Sequence, residues 1–256
     1  MSTLYITVGP PASGKSFWAQ SQNLPVVSTE SIKAEMNGEK DNEKIYSTAR
    51  ERICAYLTEG QDVVYDAPNI GYRNRKAVIA AARKLRGVSI RIVAHVFVAS
   101  INMLYGRNLL RDGHILNDVI DDALSHFQPP CKWEGIDDVI YHVAEYDEAE
   151  TLPYLQTSSR NTYFNTRASE LCVKRSLAEA CKYLDIGYTW TDRGHAGRGA
   201  YIYLAAGGTP ENAALIAYHE LPDDMDAYDK MRKAMPIDFT YDLDLVHEAD
   251  VRSRFA

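Results

Sequence analysis

Two hydrophobic rhythms run along the first 143 residues: short β-branched runs, and stretches whose apolar residues recur every three or four positions. Leu4–Val8, Pro25–Ser28, Gln61–Asp66, Ile90–Val98 and Val139–Val143 have the first pattern and predict strands. Between them, Lys15–Gln20, Ser31–Met36, Ile45–Thr58, Asn74–Leu85, Ile101–Leu110 and Asn117–His126 have the helical one; Ile45, Ala49, Ile53 and Leu57 are spaced for a single face. Strands alternating with helices predict an α/β fold with a parallel sheet.

An acidic, turn-like stretch, Ala144–Pro153, ends that alternation. Beyond it Ala168–Leu184, Gly197–Ala206, Pro210–His219 and Asp226–Ala234 read as helices, with no strand between them. The expected organisation is therefore an α/β domain over residues 1–150 and a smaller all-α domain over 151–256. No internal repeat or low-complexity segment is present.

With 46% hydrophobic and 25% charged residues among 256, the composition is that of a globular protein, not a disordered one. No apolar run approaches the ~20 residues that span a bilayer, and Met1–Val8 lacks the basic start of a signal peptide. Cys54, Cys131, Cys172 and Cys181 are scattered, so reduced thiols and a cytoplasmic location are expected. The net charge of −7 argues at first against a nucleic-acid partner. Its distribution changes that: Glu220–Asp250 holds ten acidic and three basic residues, which alone gives −7, whereas Tyr72–Arg91 holds seven basic residues and no acid. The basic stretch suits a phosphate-bearing partner or, equally, a solvated helix face.

Gly9-Pro10-Pro11-Ala12-Ser13-Gly14-Lys15-Ser16 matches G-x-x-x-x-G-K-[ST], the phosphate-binding P-loop, between a predicted strand and a predicted helix. Phosphates need closely approaching backbone N–H donors, here from Gly9, Ala12, Ser13 and Gly14. Lys15 is placed for the β/γ-phosphates of ATP, and the Ser16 hydroxyl for Mg²⁺. A kinase also needs a base near the γ-phosphate. Glu30, just past the second strand, is the candidate, with Lys33 one turn on to hold an acceptor phosphate. The same residues read equally as a helix cap with a first-turn acid. Asp66 closes the third strand, where a carboxylate can orient the metal's water shell or the acceptor; Asn69, Arg73 and Arg75 follow in a loop into a helix, the two arginines as candidates for binding the substrate. Arg107 and Arg111, four apart on one predicted helix, suit either charge neutralisation in the transition state or an ordinary surface.

In order and spacing, GPPASGKS, VVSTESIK, VVYDAPN with its arginines, and RNLLRDGHILNDVI resemble the phage polynucleotide kinase branch of P-loop kinases over residues 3–143. The resemblance implies ATP-dependent transfer to a nucleic-acid 5′-hydroxyl. Glu30 stands where that family has an Asp base, and Lys33 where it has an Arg for the acceptor's 3′ phosphate. Arg107 and Arg111 stand at its lid arginines and Asp66 at its third-strand Asp.

The second half resembles, in patches, an HD-domain phosphohydrolase that has lost ligands: Leu184-Asp185, Gly194-His195-Ala196, His219 and Asp250 fall at its motifs, with Leu184 where a His belongs. Asp185, His195, His219 and Asp250 form a reduced candidate metal set, and a non-catalytic helical domain is the expectation. The leading function is thus a kinase of a nucleic-acid end in a bacterial or phage-infected cytoplasm. The alternatives are a kinase of a small molecule or modified nucleotide, and a nucleotide-dependent assembly protein with an HD-like interaction module.

Overall fold

β1 (Ser2–Val8) buries every residue except the half-buried Tyr5, on both faces of the strand. A strand buried on both faces belongs in the middle of a parallel sheet covered by helices, and that is where β1 lies. The computed structural model describes residues 1–38, 41–144, 166–184, 194–220 and 225–255. Its five-stranded sheet has the order β2-β3-β1-β4-β5, with β2 Val26–Ser28, β3 Val63–Asp66, β4 Ile90–Val98 and β5 Asp138–Val143. β1 pairs in parallel with β3 (Leu4 beside Val63) and with β4 (Ser2 beside Ile90), and β2 pairs in parallel with β3 (Ser28 beside Asp66). β3 is buried throughout, whereas the edge strand β5 has no fully buried residue.

The helices cover the sheet with the stripes that their spacing predicts. α1 is Lys15–Ser21, α2 Thr29–Glu35, α3 Asn42–Thr58 and α4 Tyr72–Arg83. Ile45, Ala49, Ile53 and Leu57 are all buried on α3, and Asp41 caps its start by accepting from the Glu43 amide at 3.0 Å. Trp18 of α1 stacks on His95 of β4 at 4.0 Å between ring centroids, and His95 Nδ1 lies 2.8 Å from His142 Nε2 of β5.

By packing, the chain divides into Met1–Phe97 with Pro130–His142, and Val98–Pro129 with Val143–Ala256. The boundary expected near Glu150 lies outside the described residues. In the second unit, α5 (Ile101–Leu110) and α6 (Asn117–Ser125) form a hairpin clasped by Asn108, which bonds Ile115 through both its amide nitrogen (2.7 Å) and its oxygen (3.1 Å). Later helices are α7 (Ala178–Cys181), α8 (His195–Ala205), α9 (Pro210–Tyr218), α10 (Met225–Arg232) and α11 (Ile237–Phe255). α8 packs on α9 and on α6. Tyr201, fully buried on α8, accepts the Ala99 amide at 2.9 Å and meets Phe127 edge-on at 5.1 Å.

Two expectations need correction. The helix expected over Ala168–Leu184 is broken: 166–171 are helical, a 3₁₀ turn spans Arg175–Leu177, and α7 follows. The buried positions Cys172 and Leu177 are five apart, one residue too many for one helical stripe. α11 was not expected at all, because Asp238, Asp242, Asp244 and Glu248 mask its buried stripe of Leu243, Val246, Asp250 and Ser253. α5 ends at Leu110, with Arg111 as its C-cap residue, so Arg107 and Arg111 lie in and just past its last turn.

Two predictions follow from this packing. A Cβ on Gly197 would come within 2.4 Å of the Ser125 carbonyl oxygen, and one on Gly194 within 2.1 Å of the Ser125 Cβ. Gly197→Ala is therefore expected to destabilise the second unit by about 1–3 kcal/mol, outweighing the ~1 kcal/mol that Ala contributes in a helix. Urea melts followed on that unit would show the opposite sign if α8 were loosely packed. In the first unit, burial, aided by the neighbouring His142, pushes the His95 pKa down to about 4, and burial lowers that of His142 as well. Unfolded imidazoles take up a proton near pH 6.5, so this contribution to stability is fully present above that pH and is lost as the pH falls towards 4. His95→Phe, which keeps a ring against Trp18, should flatten this decline; melts showing an unchanged slope would count against it.

Candidate functional site

The chain leaves β1 through a loop whose backbone requires small residues. Gly9 has φ +152°, and a Cβ there would lie 2.7 Å from the Phe97 carbonyl oxygen and 2.9 Å from Ser13 Oγ. Ala12 (φ +64°) and Gly14 (φ +101°) are also left-handed. Left-handed positions between right-handed ones turn successive N–H groups inward, the concave nest that binds anions. Ala12 is a strained residue in such a nest, a kind of strain that collects at ligand sites. Lys15, only 7% exposed, donates through Nζ to the Pro10 carbonyl at 2.7 Å, so its ammonium lies across the loop. Ser16 is exposed in the first turn of α1.

The loop is fastened to the end of β3. Thr7 Oγ1 donates to the Ala67 carbonyl at 3.0 Å and lies 3.4 Å from Asp66 Oδ1. The Gly9 amide donates to the Pro68 carbonyl at 3.0 Å, and Asn69 Nδ2 donates to the Thr7 carbonyl at 2.9 Å. Asp66 is thereby buried beside the phosphate loop. Ser28, its register partner on β2, caps α2 by accepting the Ser31 amide at 3.4 Å. The cap is thus Ser28, which leaves Glu30 as an exposed acid in the first turn of α2. Lys33 is exposed on the same helix, and Arg73 is exposed at the start of α4. The carboxyl ends of β2, β3 and β1, neighbours in that order, therefore lead into Glu30, Asp66 and the phosphate loop. Ligands of open α/β sheets bind at that end.

Arg75 does not meet the expectation that it contacts a substrate. Its side chain is fully buried and its guanidinium is committed to Glu134, through Nε at 2.8 Å and Nη2 at 2.7 Å. Arg107 is exposed and Arg111 half-buried; both belong to the second packing unit.

In that unit His195, His219 and Asp250 are buried, with the two imidazole centroids 5.5 Å apart. His195 Nε2 lies 3.3 Å from Glu220 Oε1, and Asp250 pairs with Arg254 at 3.1 Å. Asp185 lies outside the described residues. Among the described residues, no group of three or more His, Cys, Asp or Glu could hold a metal ion, so His195, His219 and Asp250 do not form the candidate set by themselves. All four cysteines are free thiols. No described helix is long and apolar enough to cross a membrane.

Thr7 and Glu134 were missed in the sequence. Thr7 lies just ahead of the phosphate loop, but no local signal pairs Glu134 with Arg75, 59 residues away.

Residues 4–130 match the model of the AAA domain family. Among solved structures, a gluconokinase from Sinorhizobium meliloti is similar at 16% identity, with 54% of this chain and 81% of that one covered and a TM-score of 0.39. Kti12 from Chaetomium thermophilum, solved with ADP-AlF3, is similar at 15% identity, with 58% and 93% covered and a TM-score of 0.41. No curated protein matches the chain. The first part of this chain is an α/β P-loop NTPase domain, matched over residues 4–130 by the AAA domain family.

Proposed function

We propose that this protein is a kinase that transfers the γ-phosphoryl group of ATP to a hydroxyl acceptor, most simply the 5′-hydroxyl of a nucleic-acid end. The observation that carries the reading is the convergence of a phosphate loop with two carboxylates, Glu30 and Asp66, at the same end of three adjacent strands. A nucleotide hydrolase needs the loop and one acid; a second, exposed acid beside it suits an acceptor that must lose a proton.

The Gly9–Gly14 nest fits a polyphosphate, because Gly9 leaves no room for a side chain and Ala12 and Gly14 turn the backbone inward. Lys15 supplies the cation at the β/γ-phosphates. Ser16 and Asp66 are the residues that would hold Mg²⁺, which when bound neutralises the phosphate oxygens. Glu30 takes the acceptor's hydroxyl proton, the acceptor oxygen bonds to the γ-phosphorus, and the bond to the β–γ bridging oxygen breaks to release ADP. Lys33 and Arg73, both exposed, are assigned to an acceptor phosphate. Arg107 and Arg111 are assigned to charge neutralisation during transfer on their sequence resemblance alone.

One observation favours a second reading, a small acceptor. Of the seven basic residues in Tyr72–Arg91, Arg75, Arg83 and Arg91 pair with Glu134, Asp137 and Asp138. The stretch therefore offers a strand of phosphates fewer cations than its sequence suggests.

An acceptor screen with γ-labelled ATP over DNA, RNA, nucleosides and small polyols tests both. Wild-type protein should label an acceptor. Lys15→Ala should fold normally and abolish labelling, and Glu30→Gln should retain ATP binding and lose most transfer. Undiminished transfer in Lys15→Ala would remove the kinase assignment, and transfer within a few-fold of wild type in Glu30→Gln would leave Glu30 a first-turn acid only. A steep loss of acceptor affinity with added salt selects the polynucleotide reading, and a flat response selects the small acceptor.

A further inference from the structure

We infer that Arg75 and Glu134 are a positioning pair for the phosphate loop and for Asp66. This rests on the nucleotide-binding reading above. Arg75 lies in the first turn of α4, and Glu134 ends the 3₁₀ turn Lys132–Glu134 ahead of β5. Both side chains are wholly buried. A buried ion pair is a weak source of stability, because desolvation takes back most of the Coulomb attraction and apolar residues of similar volume do as well or better. The geometry points to another use of the guanidinium.

Arg75 uses its two remaining directions on backbone. Nη1 donates to the Asn69 carbonyl at 2.9 Å and to the Ile70 carbonyl at 3.1 Å, while Nε and Nη2 hold Glu134. Glu134 Oε1 also accepts the Cys131 amide at 3.0 Å, which fixes the carboxylate. A planar fork can hold a carboxylate on one edge and two carbonyls on the other; a lysine ammonium cannot span both.

The carbonyls held in this way belong to the loop that fastens the phosphate site. Asn69 sits at φ +47°, left-handed backbone that Asn adopts more readily than other residues with a side chain. Its side chain donates to the Thr7 carbonyl, and Pro68, one residue earlier, accepts the Gly9 amide. Thr7 in turn faces Asp66 Oδ1. Hydrogen bonds and the short segment 68–70 thus link Glu134 through Arg75 to the first residue of the phosphate loop and to Thr7, whose hydroxyl lies 3.4 Å from Asp66 Oδ1, all within one packing unit.

Two variants separate positioning from plain stability. Arg75→Met combined with Glu134→Met replaces the pair by apolar side chains of similar length, and Arg75→Lys keeps the charge while giving up the carbonyls. Melting temperature, affinity for a fluorescent ATP analogue with Mg²⁺, and hydrogen exchange of the Gly9 amide are measured on each, with kcat and KM for transfer. The double variant should melt close to wild type yet bind the analogue at least about tenfold more weakly, with faster Gly9 exchange; Arg75→Lys should not restore affinity. Wild-type affinity and Gly9 protection in a folded double variant overturn the inference. Should the double variant not fold, the same result in Arg75→Lys overturns it. If the wild-type protein itself does not bind the analogue, the kinase reading fails instead.

Discussion

The hydrogen bond from the Gly9 amide to the Pro68 carbonyl ties the first residue of the phosphate loop to the segment that follows β3, and much of the site is arranged around that tie. It requires β1 and β3 to be neighbours in parallel register, Ile6 beside Tyr65, so that both chains leave the sheet at the same level. Parallel neighbours of this kind need long crossovers, here α1, β2, α2 and α3, and β2 in turn pairs with β3. The same strand order that closes the sheet therefore brings the Asp66 carboxylate beside Thr7 and leads Glu30 from the adjacent strand.

The second unit shows how a nucleotide-binding chain can commit part of its α/β sequence to a different neighbour. Residues 99–129 follow β4 directly, yet they pack with the C-terminal helices. The reason is visible at α8. Gly194 and Gly197 allow its backbone to approach Ser125 more closely than any side chain would permit, and Tyr201 places a phenolic oxygen against the Ala99 amide. The stretch Gly194-His195-Ala196, which resembles a metal motif, thus has a packing use for its glycine. Its histidine is buried near Glu220, and Asp250 is engaged by Arg254.

Much of the sheet was legible because burial on both faces leaves a strand with a continuous apolar run, and such runs at Leu4–Val8 and Ile90–Val98 admit few other readings. The phosphate loop was legible for a stricter reason: backbone approach to phosphates excludes side chains at fixed positions, so the chemistry leaves glycines in the sequence. Arg75 shows where this stops. A basic residue near a nucleotide site reads as a phosphate ligand, and only the fold reveals that a glutamate 59 residues away claims it. α11 was illegible because charge density at its exposed positions hid an ordinary buried stripe.

The left-handed residues of the first unit bear on how such a site is kept in shape. Ala12 at φ +64° and Asn69 at φ +47° are not glycines, and both lie on the loops that meet at the phosphate site. Left-handed backbone costs most L-residues about 1–2 kcal/mol, and less for Asn. Asn69 is restrained by its own amide on Thr7 and by Arg75 on its carbonyl. Ala12 lies between Pro10, whose carbonyl takes the Lys15 ammonium, and Gly14, which caps α1. Each left-handed residue is thus bracketed by a cation bonded to main-chain carbonyls, Lys15 in one loop and Arg75 in the other. Of these two, only Lys15 lies in the phosphate loop itself, where a phosphate can compete for its ammonium. Arg75 is sealed against Glu134 and has no such alternative. The arrangement therefore pairs a cation within the phosphate loop with one buried behind the second loop, each bonded to main-chain carbonyls.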